Sequence, residues 1–279
     1  MTKKNNAPFV IKAILIRFFV VLFLLLTFMP LYIMIINSLK TRVQILDSIL
    51  IPSFGNLQFS NYASAFNAII PYVLNSIMVT LAAAAGVVFL SVLSGYAFGR
   101  FHFKGKKLFF TLILVNMMIP SLLTLVPNFF IISNIIPLYD TPFALIVPYI
   151  VGGQVMGIFL ARGFVEQLPS SLFEAAKLDG ATEMQTFFKV AVPLLVPVIS
   201  TIAVLNVINT WNEIVWPNLV IDTDRFKTIP QGLLAFNSFF GNDYGRIFAG
   251  YVIASVPLLI FFLINMKGFM NSLTEGAIK

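Results

Sequence analysis

Long apolar runs dominate this sequence and predict helices that cross a membrane. A helix needs about 20 apolar residues to span the hydrocarbon layer of a bilayer. Six runs reach this length, so the pattern predicts an all-α membrane protein with six transmembrane helices. The runs cover residues 13–36, 71–97, 108–132, 142–161, 191–220 and 247–266.

The first run resembles a secretory signal peptide, because Lys3, Lys4 and Lys12 precede it and Arg17 lies near its start. It is too long for a signal peptide, and no small-residue cleavage site follows it. We therefore expect an uncleaved membrane anchor.

A polar segment at 162–190 separates the fourth and fifth runs and predicts a short amphipathic helix. Ser171 and Glu174 have the spacing of a capping box, in which each side chain accepts a hydrogen bond from the other residue's amide. Gly180 predicts the left-handed turn that ends many helices. The segment is therefore expected to hold a helix over 171–180 followed by a sharp turn.

A second capping box is predicted at Thr182–Gln185. It would open a helix through Phe187 and Phe188 that enters the membrane near Pro193 and Pro197. We expect this second helix to connect the 171–180 helix rigidly to the fifth span.

The 171–180 helix has too little apolar surface to be stable alone. One interpretation is an interfacial helix that lies on lipid headgroups, although Glu174 and Asp179 suit an anionic membrane surface poorly. The interpretation that we favour is a helix that docks into a groove on another cytoplasmic protein.

Small residues recur in the second and fourth runs and predict closely packed helix faces. The series comprises Ala82–Gly86, Ser91, Ser94, Gly95, Gly99, Gly153 and Gly157.

Composition and charge agree with a membrane location. The chain is 59% hydrophobic and 10% charged, whereas soluble domains carry about 25% charged residues. Most of the 18 Lys and Arg residues lie inside if both termini are cytoplasmic, and such an excess orients membrane proteins. We expect a multi-pass cell-membrane protein with both ends in the cytoplasm. Cys is absent and His102 is the single histidine, which argues against thiol catalysis and a histidine-based metal site.

Several stretches resemble one transporter family. The sequence EAAKLDGAT at 174–182 resembles the "EAA" loop of importer permeases of the ATP-binding-cassette (ABC) class, with Val192-Pro193 in place of the usual Leu-Pro. Four other stretches resemble the carbohydrate-uptake branch, and within it the maltose-type second permease subunit. They are LNSIMVT (74–80), SGYAFGRFHFKGKK (94–107), WNEIVWPNLV (211–220) and LTEGAIK (273–279).

The resemblance implies a type I ABC importer fold with a cytoplasmic coupling helix. It implies a second homologous permease subunit, two cytoplasmic ATPase subunits that hold ATP and Mg, and an extracytoplasmic sugar-binding protein. This chain has no GxxxxGK[ST] phosphate loop, so we expect it to bind no cofactor and to be no enzyme. Nucleic acid is not an expected partner. The residues implied to contact the ATPase are Ser171, Glu174, Ala175, Ala176, Asp179 and Gly180.

Two further groups are candidates for transport. Glu213 is the only acid predicted within a span, which makes it a functional candidate, unless it only joins helices near the outer surface. Pathway candidates are Asn206, Asn209, Trp211, Asn212 and Glu213, with weaker claims for Asn116, Asn128 and Gln154. In the turn-rich outer segment 221–246, candidates for contact with the binding protein are Phe236, Phe239, Phe240 and Tyr244. The alternative is that this segment folds back on its own subunit.

The resemblance thus implies a permease subunit of an ATP-driven, binding-protein-dependent importer of sugars, in particular oligosaccharides, and two alternatives stay open. One rival is a secondary carrier or channel that works without an ATPase, and the other is an intramembrane enzyme. The predicted organisation is an anchor span with the first outer loop at 1–70, a core at 71–267 that contains the coupling loop 162–190, and a cytoplasmic tail at 268–279.

Overall fold

The computed structural model describes the backbone of residues 7–277, and the side chains of residue 12 and residues 14–270. Every regular element in this range is helical, as predicted. The α-helices are α1 (Ala7–Ser38), α2 (Arg42–Asp47), α3 (Ser60–Arg100), α4 (Lys106–Met117), α5 (Ser121–Phe130), α6 (Phe143–Val165), α7 (Ser170–Leu178), α8 (Glu183–Thr186), α9 (Val192–Leu194), α10 (Val196–Asn212), α11 (Val215–Val220), α12 (Ile229–Phe240) and α13 (Tyr244–Ala277). Two π-turns (Ile131–Ile135 and Phe187–Ala191) and a 3-10 turn (Asp224–Phe226) complete the described elements.

Four helical segments are long and apolar enough to cross a membrane, and each coincides with a predicted run. They are Ile14–Ser38, Ser60–Arg100, Phe143–Val165 and Tyr244–Met270. The other two runs form bent helix pairs, so the described residues contain four spans, or up to six if each pair counts as one. The tail motif at 273–279 lies outside the described side chains.

The third run was predicted as one helix, and the structure corrects this. Lys106–Met117 and Ser121–Ile135 meet at an angle of 100°. Pro120 stands at the break as the N-cap of α5. Its ring fixes φ and removes an amide donor, so a straight helix cannot continue through it.

The fifth run is also broken. Glu183–Leu194 and Val196–Asn212 are bent by 73°, with Leu195 between them at φ −87° and ψ 1°. Pro197 has no amide hydrogen, so the carbonyl of Pro193 lacks its helical partner. The connection to the fifth span is therefore not one continuous α-helix, because a π-turn and this break interrupt it, and its rigidity stays a prediction.

One compact unit comprises the chain up to Ala68 together with Ala235–Ile253. Its core contains Ala65, Phe236 and Ala249. Asn61 Nδ2 donates to the carbonyls of Ser38 and Lys40, each at 3.0 Å. These bonds satisfy the backbone where α1 ends.

The second unit comprises Ile69–Leu234 and the chain from Ala254. It has two buried clusters. One contains Tyr96, Ala161, Phe173 and Phe187. The other is built around Leu145 and Trp216. The sequence boundaries at residues 70 and 267 stay a prediction.

Within the second unit, α3 and α6 approach closely along their small residues, which confirms the packing prediction. A Cβ added at Gly95 would lie 2.9 Å from the amide nitrogen of Arg162 and 3.0 Å from the carbonyl carbon of Ala161. One added at Gly157 would overlap Ser91. Only glycine permits this backbone separation.

Candidate functional site

The polar segment between the fourth and fifth runs folds as α7, a turn and α8. Helix α7 begins at Ser170, with Pro169 as N-cap and no side-chain capping bond. The capping box predicted at Ser171 and Glu174 is therefore wrong. The N-cap is Pro169, two residues before the predicted Ser171, which places Ser171 inside the first turn of the helix.

Helix α7 ends at Leu178, and the predicted left-handed turn follows at Gly180, which has φ +75°. The amide of Gly180 donates to the carbonyl of Lys177 at 3.1 Å, and the amide of Ala181 donates to that of Ala176 at 3.0 Å. This pair of bonds is a Schellman motif, which needs a left-handed residue at the Gly180 position.

The second predicted capping box is confirmed. The Thr182 amide donates to Gln185 Oε1 at 2.9 Å, and the Gln185 amide donates to Thr182 Oγ1 at 3.3 Å. Helix α8 therefore starts immediately after the turn. Its continuation through Phe187 and Phe188 has π geometry rather than α geometry.

A single buried side chain anchors α7 to the rest of its unit. Phe173 is 4% exposed, and its ring centroid lies 6.2 Å from that of Tyr96. The Arg100 guanidinium lies 4.6 Å from the same ring. This anchor fixes where α7 sits without covering its other faces.

The remaining faces of α7 are largely bare. Leu178 is 88% exposed, although leucine contributes about 1.5–3 kcal/mol when it is buried. Ala176 is half-buried, and the other residues predicted to contact the ATPase are exposed. They are Ser171, Glu174, Ala175, Asp179 and Gly180. A short helix that ends in a Schellman motif and exposes a leucine is suited to docking on another protein.

A cavity of about 360 Å³ lies between α6 and α10. Three of the five predicted pathway residues line it, namely Asn206, Asn209 and Glu213. The structure adds Tyr149, Gly152 and Gly153 to its wall. The sequence signal for this part of the wall was the Gly-Gly pair within the fourth run.

Two polar atoms at this cavity have no hydrogen-bond partner among the described residues. They are Asn206 Oδ1 and the Tyr149 hydroxyl. Asn206 is 9% exposed. Buried polar atoms are normally paired, and an unpaired one costs about 1–3 kcal/mol. Both residues line the cavity, but these two atoms are themselves shielded from it in this structure.

Glu213 lies beyond the end of α10 rather than within the span, which corrects its predicted position. Its Oε1 accepts hydrogen bonds from the amides of Val215 at 2.9 Å and Trp216 at 3.3 Å. One carboxylate oxygen therefore caps the start of α11. This local bond gives Glu213 a structural role alongside its place in the cavity wall.

The other two pathway candidates do not line the cavity. Trp211 is 7% exposed within its unit, so its ring has no free face for a sugar. Asn212 is exposed, and its Nδ2 donates to the carbonyl of Ile208. Asn116 and Asn128 line a separate groove inside the bend of α4 and α5. Gln154 Oε1 accepts from Ser91.

Side-chain hydrogen bonds join the turn before α6 to the segment after α11. Asp140 has φ 55°, and its Oδ1 accepts from the amides of Asp222 and Thr223, each at 2.9 Å. The bonds from Thr223 hold the pKa of Asp140 below its usual value. The Tyr139 hydroxyl donates to Asp222 at 2.6 Å, and this bond raises the pKa of Tyr139.

The outer segment 221–246 was predicted as turn-rich, and the structure places α12 (Ile229–Phe240) in its middle. Phe236 is 3% exposed and lies in a core, so it cannot contact a partner. Phe240 packs beside it, with ring centroids 4.5 Å apart. Phe239 is 82% exposed and Tyr244 is 40% exposed. Two of the four candidate aromatics therefore remain available at the surface.

Comparison with known proteins decides the family. The sequence profile described as "Binding-protein-dependent transport system inner membrane component" matches residues 87–271. The chain belongs to this family. The matched region of the permease includes α7 and the cavity.

Curated relatives agree over nearly the whole permease. It is 35% identical over 263 residues to the "Probable ABC transporter permease protein YurM" of Bacillus subtilis, covering 94% of this chain and 87% of that protein. It is 30% identical over 281 residues to the "Arabinooligosaccharides transport system permease protein AraQ" of Bacillus subtilis, covering 99% of each. It is 35% identical over 246 residues to the "Trehalose transport system permease protein SugB" of Mycobacterium tuberculosis, covering 87% and 89%.

A solved structure shows the same fold. It is described as the "Crystal structure of a bacterial ABC transporter involved in the import of the acidic polysaccharide alginate". The TM-score is 0.78 at 21% identity, covering 96% of this permease and 99% of that chain. The type I ABC importer fold predicted from the sequence is thereby confirmed.

Proposed function

We propose that this permease carries a sugar, in particular an oligosaccharide, into the cell as one of two membrane subunits of an ATP-driven importer. The observation that carries the proposal is α7, which is fixed by one buried residue and otherwise bare. The names of relatives that transport arabinooligosaccharides and trehalose support the sugar class. The chain performs no covalent chemistry in this proposal.

In this mechanism, α7 docks into a groove on a cytoplasmic ATPase subunit that binds ATP and Mg. The ATPase subunits bind α7 in one position when they are open and in another when ATP has closed them. This difference in affinity shifts the membrane helices between inward-open and outward-open states. Glu174 is exposed and available for a charge-assisted contact with basic residues of the groove. An extracytoplasmic binding protein delivers the sugar, and a homologous permease completes the pathway.

The test is uptake by the purified complex reconstituted in liposomes with its binding protein. We expect radiolabelled oligosaccharide to accumulate only when ATP is present on the side that exposes α7. Accumulation by this chain without nucleotide would instead support a secondary carrier.

Orientation is the second part of the proposal. The concentration of cations at Arg100–Lys107 and around α7 supports a cytoplasmic position for both. Because the chain has no cysteine, single-cysteine labelling is clean. We expect Lys104→Cys to react with an impermeant maleimide only after the cells are opened, and Asp224→Cys to react in intact cells. Labelling of Lys104→Cys in intact cells would reverse the map.

Asn206 tests whether the cavity belongs to the sugar pathway. Asn206→Leu keeps the branched side-chain shape and removes an unpaired buried oxygen, so it should raise the free energy of unfolding by about 1 kcal/mol. The same change removes a hydrogen-bonding group from the cavity, so we expect uptake to fall at least tenfold. Thermal unfolding and uptake are measured together, with the exposed Asn212→Leu as control. Wild-type uptake by Asn206→Leu would remove this residue from the pathway.

Phe239 tests contact with the binding protein. Exposed aromatic residues are enriched at protein interfaces, and truncation of Phe239 disturbs no core. We expect Phe239→Ala to weaken stimulation of ATP hydrolysis by the binding protein several-fold, with basal hydrolysis unchanged. Phe18→Ala, at a residue 60% exposed on α1, is the control. Identical stimulation curves for both variants would exclude Phe239 from the interface.

A further inference from the structure

A basic pocket lies where α3 ends and α4 begins. Its volume is about 630 Å³, and its wall includes His102, Lys106, Lys107 and Arg162. The pocket is separate from the cavity between α6 and α10, and none of these residues belongs to α7. Transport by the mechanism above does not use it.

The positive charge of this pocket has little internal compensation. The sequence contains no acidic residue between Asp47 and Asp140. In the part of the chain that the structure describes, neither Lys106 nor Lys107 forms a salt bridge. Lys106 Nζ donates only to a backbone carbonyl, that of Phe101, at 3.1 Å.

Among the described residues, Arg162 is the one cation of the pocket with a carboxylate partner. Its Nε lies 2.8 Å from Glu166 Oε1, and its guanidinium lies 3.7 Å from the centroid of Phe110. The stacked ring and the ion pair hold the guanidinium plane against the pocket wall. A single carboxylate cannot balance three cations, so the pocket favours an anion.

The start of α4 adds to this preference. Gly105 precedes the helix in the left-handed conformation and offers no side-chain cap to the first amides. The positive end of the helix dipole favours negative charge at this position. The cationic side chains and the uncapped helix end therefore act on the same part of the pocket.

An apolar surface adjoins the charged one. Leu108 lines the pocket and is 61% exposed, and one turn further along α4 Leu112, which also borders the groove inside the bend of α4 and α5, is 55% exposed. A free inorganic anion would leave this face uncovered. An acidic lipid would place its phosphate among the lysines and its acyl chains along the helix.

We propose that this pocket binds the headgroup phosphate of an acidic phospholipid, with the acyl chains against the exposed face of α4. Basic pockets beside membrane helices recognise such headgroups through the same charges. The bound lipid would fix the turn between α3 and α4 to the membrane surface. The proposal is independent of the transported solute and of the ATPase.

The experiment uses the permease complex as purified in detergent and compares three probes: phosphatidylglycerol, phosphatidylcholine and inorganic phosphate. Thermal unfolding is followed as each probe is added, and retained lipid is identified by mass spectrometry. We expect phosphatidylglycerol alone to raise the unfolding temperature, and this rise to shrink at high salt because the charges are screened.

Lys106→Gln with Lys107→Gln should weaken phosphatidylglycerol binding about 30-fold, from about 1 kcal/mol for each cation near the surface. Lys104→Gln with Lys189→Gln removes the same charge from exposed residues outside the pocket wall, and should retain binding. Equal affinity in the two double variants would overturn the proposal. A temperature rise with inorganic phosphate as large as with the lipid would also overturn it, because the occupant would then be a free anion.

Leu112→Asn provides a readout that does not depend on the lysines. It makes the acyl-chain surface polar and leaves all the charges in place. We expect weaker phosphatidylglycerol binding, whereas unchanged binding would contradict the predicted position of the chains and with it a lipid occupant.

Discussion

Gly180→Val is expected to abolish uptake while the permease still inserts at normal levels. Gly180 has φ +75°, where a residue with a Cβ atom costs about 1–2 kcal/mol, and β-branching adds to the strain. The space around a Cβ at this position is empty, with no heavy atom within 4 Å. The effect therefore comes from the backbone alone. Helix α7 is short and held by Phe173, so its direction should change before the membrane core does.

Two control variants distinguish the effect of the orientation of α7 from the effect of its exposed charge. Gly180→Asn accepts the left-handed conformation more readily than valine and should retain most uptake. Glu174→Lys leaves the turn intact and reverses one exposed charge, so we expect loss of ATPase co-purification with normal insertion. Both uptake and co-purification are measured for each variant. Normal uptake in Gly180→Val and Glu174→Lys together would refute the coupling role of α7.

Gly95→Leu should have the largest effect on folding. A Cβ at this position meets the backbone of Ala161 and Arg162, and backbone cannot rotate away as a side chain can. Helices α3 and α6 would have to separate, at a cost of about 3 kcal/mol in the free energy of unfolding. Size-exclusion profiles and thermal unfolding in detergent measure the loss.

Gly163→Leu is the matched control on α6, because a Cβ there meets no heavy atom within 4 Å. We expect it to unfold within a few degrees of the wild type. If Gly95→Leu folded equally well, the close approach of α3 and α6 would not be required for stability.

The features around α7 that could be predicted from the sequence are those made by hydrogen bonds between nearby residues. The Thr182 capping box and the Gly180 turn each depend on residues within a few positions of one another, so their patterns are sufficient. The predicted cap at Ser171 failed for a similarly local reason, since Pro169 started the helix first. The length and hydropathy of the runs were also sufficient to locate four membrane helices, but not to show that the other two runs form bent pairs.

Features set by distant contacts could not be predicted. The burial of Phe236 depends on Ala65 and Ala249, which are remote in sequence. Tyr149 joins Asn206 at the cavity only because α6 and α10 pack together. The bends at Pro120 and Leu195 depend on the direction that the neighbouring helices leave open to a segment interrupted by proline. The hydrophobic periodicity of the sequence carries no information about that direction.

The π-turn at Phe187–Ala191 changes the rotation of the helix before it relative to the helix after it. A π-turn accommodates one residue more than an α-helical turn over the same length. Each residue of an α-helix rotates the chain by about 100°, from 3.6 residues per turn. The extra residue therefore sets the rotation of α8 relative to α9. Loss of one residue in this turn would rotate α8 by about a quarter of a circle, while Phe173 holds α7 against α3, so the mismatch would fall on the Gly180 turn between the two helices.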